Sequence, residues 1–192
     1  MDAVYNNRRY ECLETIALHD VNRDCCDYAT DHARRIIMTL PETGGKAPAF
    51  SLMDQDGNKI KLSDFKGKKL LLFFYPKANT SGCTKQACSV STSLKDLRKL
   101  GVEAVGISPD LPDKQMKFDL KYGLGFPLLS DPDNKVARAY GAWGEKSMYG
   151  KKYLGIIRSS FLIDEKAEVV QAWYKVKPDD TVPLAMEALK NC

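Results

Sequence analysis

LLLFFYPKANTSGCTKQAC, residues 70–88, contains the pattern that decides the fold. Its first six residues are an unbroken apolar run, which is typical of a strand buried on both faces of a sheet. From Gly82 to Leu100 apolar residues recur at helical spacing, and the helix is expected to stop at Gly101. A buried strand followed at once by an amphipathic helix predicts a layered α/β domain.

The flanking sequence supports this fold class. AFSLMDQDGNKIKL, residues 49–62, predicts a hairpin around Asp56 and Gly57. A second buried strand is expected over 102–107, helices over 112–122 and 133–140, and paired strands in SSFLID and EVVQAWYKV. A closing helix is predicted over 178–190. The order strand, helix, strand, helix, hairpin and helix predicts a three-layer α/β domain.

Composition excludes several classes of protein. The 192 residues are 44% hydrophobic and 28% charged with a net charge of +4, which fits a globular domain with one core. Basic residues do not form a stripe with aromatics, so a nucleic-acid role is not expected. The longest apolar run is too short to cross a bilayer, and the first twenty residues lack a secretion signal. We therefore expect no membrane partner and a reducing, cytoplasmic location.

The chain is expected to divide near Met38. Residues 1–37 differ in character from the rest and are interpreted as an N-terminal extension, weakly helical or disordered. Residues 38–192 are expected to form the compact domain. The cysteines outside the central motif do not form a secreted disulfide framework, and no role is predicted for them; they are Cys12, Cys25, Cys26 and Cys192.

Cys83 and Cys88 could be a structural disulfide, half of a metal site, core residues or a reacting pair. A zinc site needs about four ligands, often in closely spaced pairs, and no second pair or histidine is near them in sequence. Cys88 would suit an inert core position. Cys83, beside Gly82 at a strand-to-helix turn, is expected to be accessible.

A cysteine at a helix N-terminus favours the thiolate form, because unpaired N–H groups carry partial positive charge. Greater acidity also lowers nucleophilicity, so the net gain in rate is small and other groups are needed. Thr80 can act as the helix N-cap and can reach a thiolate or a bound oxygen. Pro76 ends the strand and can shield the site. Arg158, before SSFLID, could donate to a thiolate and a substrate oxygen together.

These residues resemble a known family. Pro76, Thr80 and Cys83 match the P-x-x-x-T-x-x-C pattern of peroxiredoxins, and Cys88 is similar to the second cysteine of the bacterioferritin comigratory protein, or peroxiredoxin Q, branch. The resemblance runs from about Lys46 to the C-terminus. It includes KAPAFSLMDQDG, SGCTKQAC and LLSDPDNKVARAYGAWGEKSMYGKKYLGIIRSSFLID.

The resemblance implies a thioredoxin-like fold, with a central mixed β-sheet and helices on both faces. It also implies a thiol-dependent peroxidase acting on hydrogen peroxide and organic hydroperoxides. Cys83 would become a sulfenic acid, with Thr80 and Arg158 activating the thiolate and Pro76 shielding the pocket. Cys88 would form an intramolecular disulfide that thioredoxin or a similar thiol reductant reduces. No metal or organic cofactor is implied, and a monomer is expected because resolution needs no second subunit.

Helix geometry adds a requirement to this resemblance. Residues five apart on a regular helix differ by ~7.5 Å of rise and ~140° of rotation, which is outside disulfide range. A Cys83–Cys88 bridge would therefore require the first turns to unwind in each cycle. The sequence departs from the family pattern at two places. Ser81 replaces a common proline, and the late hairpin has Glu165-Lys166-Ala167 where a glycine is usual, so a positive φ there would be strained.

Two other functions remain open on the sequence. A thiol–disulfide oxidoreductase on the same fold would usually carry C-x-x-C, and it would have no use for Thr80 and Arg158. A redox-linked holdase would use the N-terminal extension, and its protection of clients would survive loss of Cys83.

Overall fold

The computed structural model describes residues 40–148 and 151–190. Its strands are β1 (Ser51–Met53), β2 (Lys59–Lys61), β3 (Lys69–Phe74), β4 (Val102–Ser108), β5 (Leu128–Ser130), β6 (Trp143–Met148), β7 (Lys151–Ile156), β8 (Ser159–Ile163) and β9 (Val169–Tyr174). Its α-helices are α1 (Ser81–Lys99), α2 (Pro112–Tyr122), α3 (Lys135–Ala139) and α4 (Thr181–Lys190), and a 3₁₀ turn covers Leu62–Phe65.

Seven strands form one mixed sheet in the order β2-β1-β5-β4-β3-β8-β9. Strands β3, β4 and β5 are parallel neighbours, because α1 and α2 provide the crossover connections between them. Strand β8 pairs antiparallel with β3, and β9 pairs antiparallel with β8, while β6 and β7 form a separate two-stranded hairpin. The carboxyl ends of β3 and β4 therefore meet at one edge of the sheet.

Strand β3 lies at the centre of the sheet and is covered on both faces. Leu70, Leu72 and Phe74 point into one core cluster, which includes residues of α3. Phe73 belongs to a second cluster on the opposite face, which includes residues of α1 and α2. Helix α4 packs on that same opposite face beside Leu71. The predicted mixed sheet with helices on both faces is confirmed.

Most predicted elements are present, with two shorter than expected. Helix α3 begins at Lys135 rather than at 133, since Asn134 adopts a left-handed φ of 55° before it. The Asp131 carboxylate accepts hydrogen bonds from the backbone N–H groups of Val136 and Ala137, and so fixes this start. Helix α4 begins at Thr181 rather than at 178, because the preceding residues form a turn closed by the Asp180 N–H and the Lys177 carbonyl.

Strand β5 and the β6–β7 hairpin were not predicted from the sequence. Strand β5 has only three residues, so its periodicity carries little signal. In the hairpin, Glu145, Tyr153 and Leu154 are all exposed, so polar and apolar residues share the solvent-facing surface. The alternation that normally marks a strand is therefore weak.

The predicted N-terminal extension, residues 1–37, lies outside the described residues. Within the described residues, no helix combines the length and the hydrophobicity that crossing a membrane would require.

Candidate active site

The strand register brings the two halves of the site together. Phe74 pairs with Ser159 in the antiparallel β3–β8 ladder. The chain therefore leaves β3 into the loop 75–80 directly beside Arg158, the residue before β8. The Arg158 carbonyl accepts a hydrogen bond from the Val176 N–H at 2.9 Å, which fixes its backbone to the segment after β9.

Cys83 lies in the first turn of α1 and is only 2% exposed. The expectation that its side chain is accessible is wrong, because the turn packs against the sheet and Cys83 joins the core cluster of Phe73. The Arg158 guanidinium Nη2 donates to the Cys83 Sγ at 3.3 Å. A cationic donor at this distance, together with the N-terminal end of a helix, stabilises negative charge on sulfur.

A buried polar chain holds Arg158 in place. Its Nη1 donates to the Oε1 of Gln86, which is fully buried one helical turn after Cys83. The Gln86 Nε2 donates in turn to the Thr181 Oγ1 at 2.8 Å, and the Ser160 hydroxyl lies 3.3 Å from the same atom. Because buried polar groups are costly when unpaired, this chain restricts the guanidinium to one position.

Gly82 lies against this arginine. A Cβ atom built at Gly82 would lie 3.3 Å from the Arg158 Nη2 and 3.4 Å from the Pro178 Cγ. The absence of a side chain at this position therefore lets the guanidinium approach the first turn of α1 closely.

Thr80 and Pro76 lie in the loop that leads into α1. Thr80 occupies the N-cap position, and its carbonyl accepts from the Thr84 N–H at 2.8 Å. The predicted capping role of its hydroxyl is wrong, since that group donates instead to the Lys77 carbonyl at 3.0 Å and makes no cap hydrogen bond. Pro76 is half-buried in the same loop.

Cys88 lies two residues beyond Gln86 in the same unbroken helix. It is half-buried and packs against the cluster that contains Cys83, and both thiols are free. The structure thus has the regular helical geometry in which thiols five residues apart cannot bond directly.

An open groove of about 340 Å³ adjoins Arg158. Its lining residues are Glu145, Lys146, Ser147, Ile157, Arg158, Lys175 and Val176. Glu145 is paired outside the groove with Lys152 at 3.0 Å, so the remaining charged side chains of the lining are cationic.

Lys146 connects the hairpin to this groove. Its Nζ donates to the Ile156 carbonyl at 2.9 Å. Partial burial and the nearby positive charge of Arg158 lower the pKa of Lys146, while the nearby Cys83 acts in the opposite direction. Lys146 is therefore within electrostatic range of both site residues. In the described part of the chain, no group of three or more histidine, cysteine or carboxylate side chains could hold a metal ion.

Comparison with known proteins identifies the family. Residues 43–172 match the model of the AhpC/TSA family. The peroxiredoxin Bcp of Escherichia coli K12 is 45% identical over 150 residues, which cover 78% of this chain and 96% of that protein. A putative peroxiredoxin of Mycobacterium tuberculosis is 53% identical over 134 residues, covering 70% and 85%. The chain belongs to the peroxiredoxin Q/Bcp family.

Solved structures agree with this assignment. Xanthomonas campestris peroxiredoxin Q superposes with a TM-score of 0.70 at 38% identity, covering 74% of this chain and 90% of that one. A peroxiredoxin Q variant from Xylella fastidiosa gives a TM-score of 0.74 at 30% identity, covering 80% and 98%. The thioredoxin-like fold implied by the resemblance is confirmed.

Three residues of the hydrogen-bond network around Arg158 were not predicted from the sequence of this peroxiredoxin: Gln86, Thr181 and Ser160. Gln86 could have been found, because it follows Cys83 by three residues and so shares its helix face. Thr181 and Ser160 gave no such signal, since their approach to Gln86 depends on how α4 and β8 pack against α1. Of the predicted residues, the structure brings Cys83 and Arg158 into contact and leaves the Thr80 hydroxyl bonded within its own loop.

Proposed function

We propose that this peroxiredoxin is a thiol peroxidase in which Cys83 is the reacting residue. The observation that carries the proposal is the hydrogen bond from the Arg158 guanidinium to the Cys83 sulfur at 3.3 Å. The Cys83 thiolate attacks one oxygen of the peroxide and the O–O bond breaks. Cys83 becomes a sulfenic acid, and the departing oxygen takes a proton to leave as water or an alcohol.

Arg158 supplies the fixed positive charge in this step. Negative charge moves from sulfur to the departing oxygen, and a forked guanidinium can donate to both atoms. Gln86 keeps the fork aimed at Cys83. Thr80 is proposed to reorient its hydroxyl toward the bound peroxide, and Pro76 to shield the thiolate from water.

The groove beside Arg158 supports organic hydroperoxides as substrates in addition to hydrogen peroxide. Ile157 and Val176 give its lining apolar surface next to the guanidinium. The Xanthomonas campestris bacterioferritin comigratory protein, which is 37% identical, has alkyl peroxide reduction activity. We infer the same substrate class for this chain.

Cys88 is proposed to resolve the sulfenic acid. Its thiol attacks the Cys83 sulfur, a disulfide forms and water leaves. A dithiol reductant such as thioredoxin then restores both thiols and is itself oxidised to a disulfide. A reducing compartment such as the cytoplasm fits this cycle, and a monomer can complete it within residues 38–192, with residues 1–37 as an extension.

A thiol–disulfide oxidoreductase on the same fold is the second candidate. The spacing of Cys83 and Cys88 in a continuous helix does not favour it, because such enzymes usually carry C-x-x-C. The contacts of Arg158 with Cys83 and Gln86 do not favour it either, since direct exchange with a dithiol requires neither Arg158 nor Gln86. A redox-linked holdase is the third, and no contact among the described residues favours it.

A non-reducing peptide map after one equivalent of hydrogen peroxide tests the proposal. A Cys83–Cys88 link in the natural protein, and a sulfenic acid at Cys83 in Cys88→Ser, are expected. Cys83→Ser should show neither product. A link from Cys83 to Cys192 or to a cysteine of residues 1–37 would replace the resolving step, whereas an unmodified Cys83 would refute the peroxidase.

A further inference from the structure

A second buried polar network lies under the loop 75–80, apart from the one that holds Arg158. It centres on Asp110, which follows β4 and is 7% exposed. Strand β4 is the parallel neighbour of β3, so its carboxyl end lies beside the loop that leaves β3. Asp110 is therefore placed under the loop by the sheet itself.

The Asp110 side chain binds the backbone of the loop. The Asp110 Oδ2 accepts a hydrogen bond from the Ala78 N–H at 2.7 Å, and Ala78 is itself buried. Ala78 lies between Pro76 and Thr80, so this bond fixes the middle of the segment that precedes the first turn of α1. The other carboxylate oxygen lies 3.9 Å from the exposed Lys114 ammonium.

The other hydrogen bonds of the network pair the neighbouring buried polar groups with one another and so hold the Asp110 carboxylate in one orientation. The Ser108 hydroxyl donates to the Asp110 Oδ2 at 3.1 Å, and accepts from the Asp110 N–H at 3.1 Å and the Gln115 Nε2 at 2.9 Å. These three bonds use the full capacity of a hydroxyl. Gln115 also donates to the Leu129 carbonyl and accepts from the Tyr75 hydroxyl. Burial raises the pKa of Tyr75, so that hydroxyl remains a donor.

We propose that Asp110 is a positioning residue that holds the loop 75–80 closed and thereby sets which fate the Cys83 sulfenic acid meets. This inference rests on the proposed peroxidase function and concerns its second step. In one fate the Cys88 thiol attacks the Cys83 sulfur, giving a disulfide and water. In the other a second peroxide molecule transfers one oxygen to the sulfenic acid, giving a sulfinic acid and water or an alcohol.

The two fates need different states of the loop. The disulfide requires the first turns of α1 to unwind, because Cys83 and Cys88 are five residues apart in a continuous helix. Attack by a second peroxide requires the folded site, with Arg158 beside the sulfur. An anchor at Ala78 favours the folded state, so it favours the sulfinic acid and delays the disulfide.

The size of the effect follows from the kind of bond. A buried hydrogen bond to a charged acceptor typically changes an equilibrium by tenfold or more when the acceptor is removed. Asp110→Ala should therefore shift the balance of closed and open loops by about tenfold toward the open state. Asp110→Asn keeps an oxygen that can accept from both Ala78 and Ser108, so it should restore most of the anchor.

The experiment titrates natural protein and variants with hydrogen peroxide and measures, by mass spectrometry, the ratio of sulfinic acid at Cys83 to Cys83–Cys88 disulfide. The peroxide concentration that gives equal amounts should rise about tenfold in Asp110→Ala and by less than about twofold in Asp110→Asn. Asp113→Ala, the same chemical change at an exposed position in the first turn of α2, should leave the ratio unchanged. Both products come from the same sulfenic acid, so a fraction of misfolded, unreactive protein would lower the yield of both without changing their ratio.

An unchanged ratio in Asp110→Ala, or an equal change in Asp113→Ala, would overturn the inference while leaving the peroxidase intact. If Asp110→Ala does not fold, Ser108→Ala replaces it, since this variant removes one of the two donors to Oδ2 and keeps the carboxylate. It should shift the ratio in the same direction by about threefold, and no shift would again overturn the inference. Absence of any Cys83 product in the natural protein would refute the proposed function itself.

Discussion

Cys83 combines burial with direct contact to a charged group. Its side chain is almost fully buried, yet it accepts a hydrogen bond from the guanidinium of Arg158, which lines an open groove. In such a site water is excluded, so the interaction between Arg158 and negative sulfur is stronger than it would be at the surface. Stabilising the Cys83 thiolate therefore depends on accurate placement of the Arg158 guanidinium.

Gly82→Ala tests that placement. Alanine favours a helix over glycine by about 1 kcal/mol, so helix propensity alone would make the variant more stable. The new methyl group would crowd the Arg158 Nη2, at 3.3 Å, and Pro178. We expect kcat/KM for hydrogen peroxide to fall about tenfold, which corresponds to about 1.4 kcal/mol of lost stabilisation. Stopped-flow kinetics and urea unfolding measure the two effects separately.

Ser81→Ala is the matched control for this prediction. It changes the neighbouring exposed residue of the same turn and should leave kcat/KM unchanged. A Gly82→Ala variant with full activity would show that the guanidinium tolerates displacement.

The sequence predicted which residues form the site better than it predicted the burial and the partners of those residues. Cys83 and Arg158 were selected from the sequence, and the structure places them in contact. The expected accessibility of Cys83 was wrong, because the position of a helix start along the chain does not reveal what packs above it. The spacing of three residues would have placed Gln86 on the helix face of Cys83, but its full burial depends on tertiary packing, since a glutamine usually faces solvent.

Helix α1 has two functions along its length. Its first turns contain Cys83 and Cys88, whereas its second half is fixed in the core by Leu94 and Leu97. Because both cysteines lie in the N-terminal half, a bridge between them requires only this end of the helix to open. The helix is therefore suited to unwind from its N-terminus while its C-terminal half stays folded.

Hydrogen exchange measures this asymmetry. After oxidation by one equivalent of peroxide, amide protection should fall over residues 82–90 and persist around Leu94 and Leu97. The oxidised Cys88→Ser variant cannot form the bridge and should keep the protection of the reduced protein. Equal protection over 82–90 in reduced and oxidised natural protein would contradict the unwinding.

The β8–β9 turn contains a local conflict between sequence and backbone. Within the stretch 165–167, which lacks the usual glycine, Ala167 is the residue with a positive φ, 63°, and two hydrogen bonds hold it there. Its N–H donates to the Asp164 carbonyl, and its own carbonyl accepts from the Ala47 N–H at 2.9 Å. A left-handed conformation costs a non-glycine residue about 1 kcal/mol, so the strain is maintained by the surrounding hydrogen bonds.

Ala167→Gly should relieve this strain. We expect a gain in unfolding free energy of about 0.5–1 kcal/mol, or a rise in Tm of about 2 °C for a domain of this size. Lys166→Gly, in the same turn but without a positive φ, should be neutral or destabilising, since it only adds freedom to the unfolded chain. Equal stability of Ala167→Gly and the natural protein would show that the turn is not strained.

The whole molecule unites segments far apart in sequence at one sheet edge. Residues of α1, β8 and α4 meet in the chain Cys83, Arg158, Gln86, Thr181 and Ser160. The layered fold and the order of the longer strands and helices were predictable from apolar runs and turn residues, whereas β5 and the β6–β7 hairpin were not. The contact between α1 and α4 was not, because the apolar pattern of α4 shows which face is buried but not which polar groups lie beneath its first turn.

Thr181→Val tests whether this connection matters for the site. Valine has nearly the same shape, so the packing of α4 is kept, but the Gln86 Nε2 loses its acceptor and Ser160 its neighbour. An unpaired buried donor costs about 1–3 kcal/mol, and urea unfolding should show a loss of that size. Gln86 then holds Arg158 less firmly, so kcat/KM should fall by about three- to tenfold.

Thr92→Val provides the comparison for both measurements. It removes the same hydroxyl from an exposed position on α1, where the group bonds only to the Cys88 carbonyl at 2.9 Å. Stability and activity should both stay near those of the natural protein. If Thr181→Val lost stability but kept full activity, α4 would support the fold without aligning Arg158. Loss of both would show that the last helix of the chain helps to align the guanidinium that contacts Cys83.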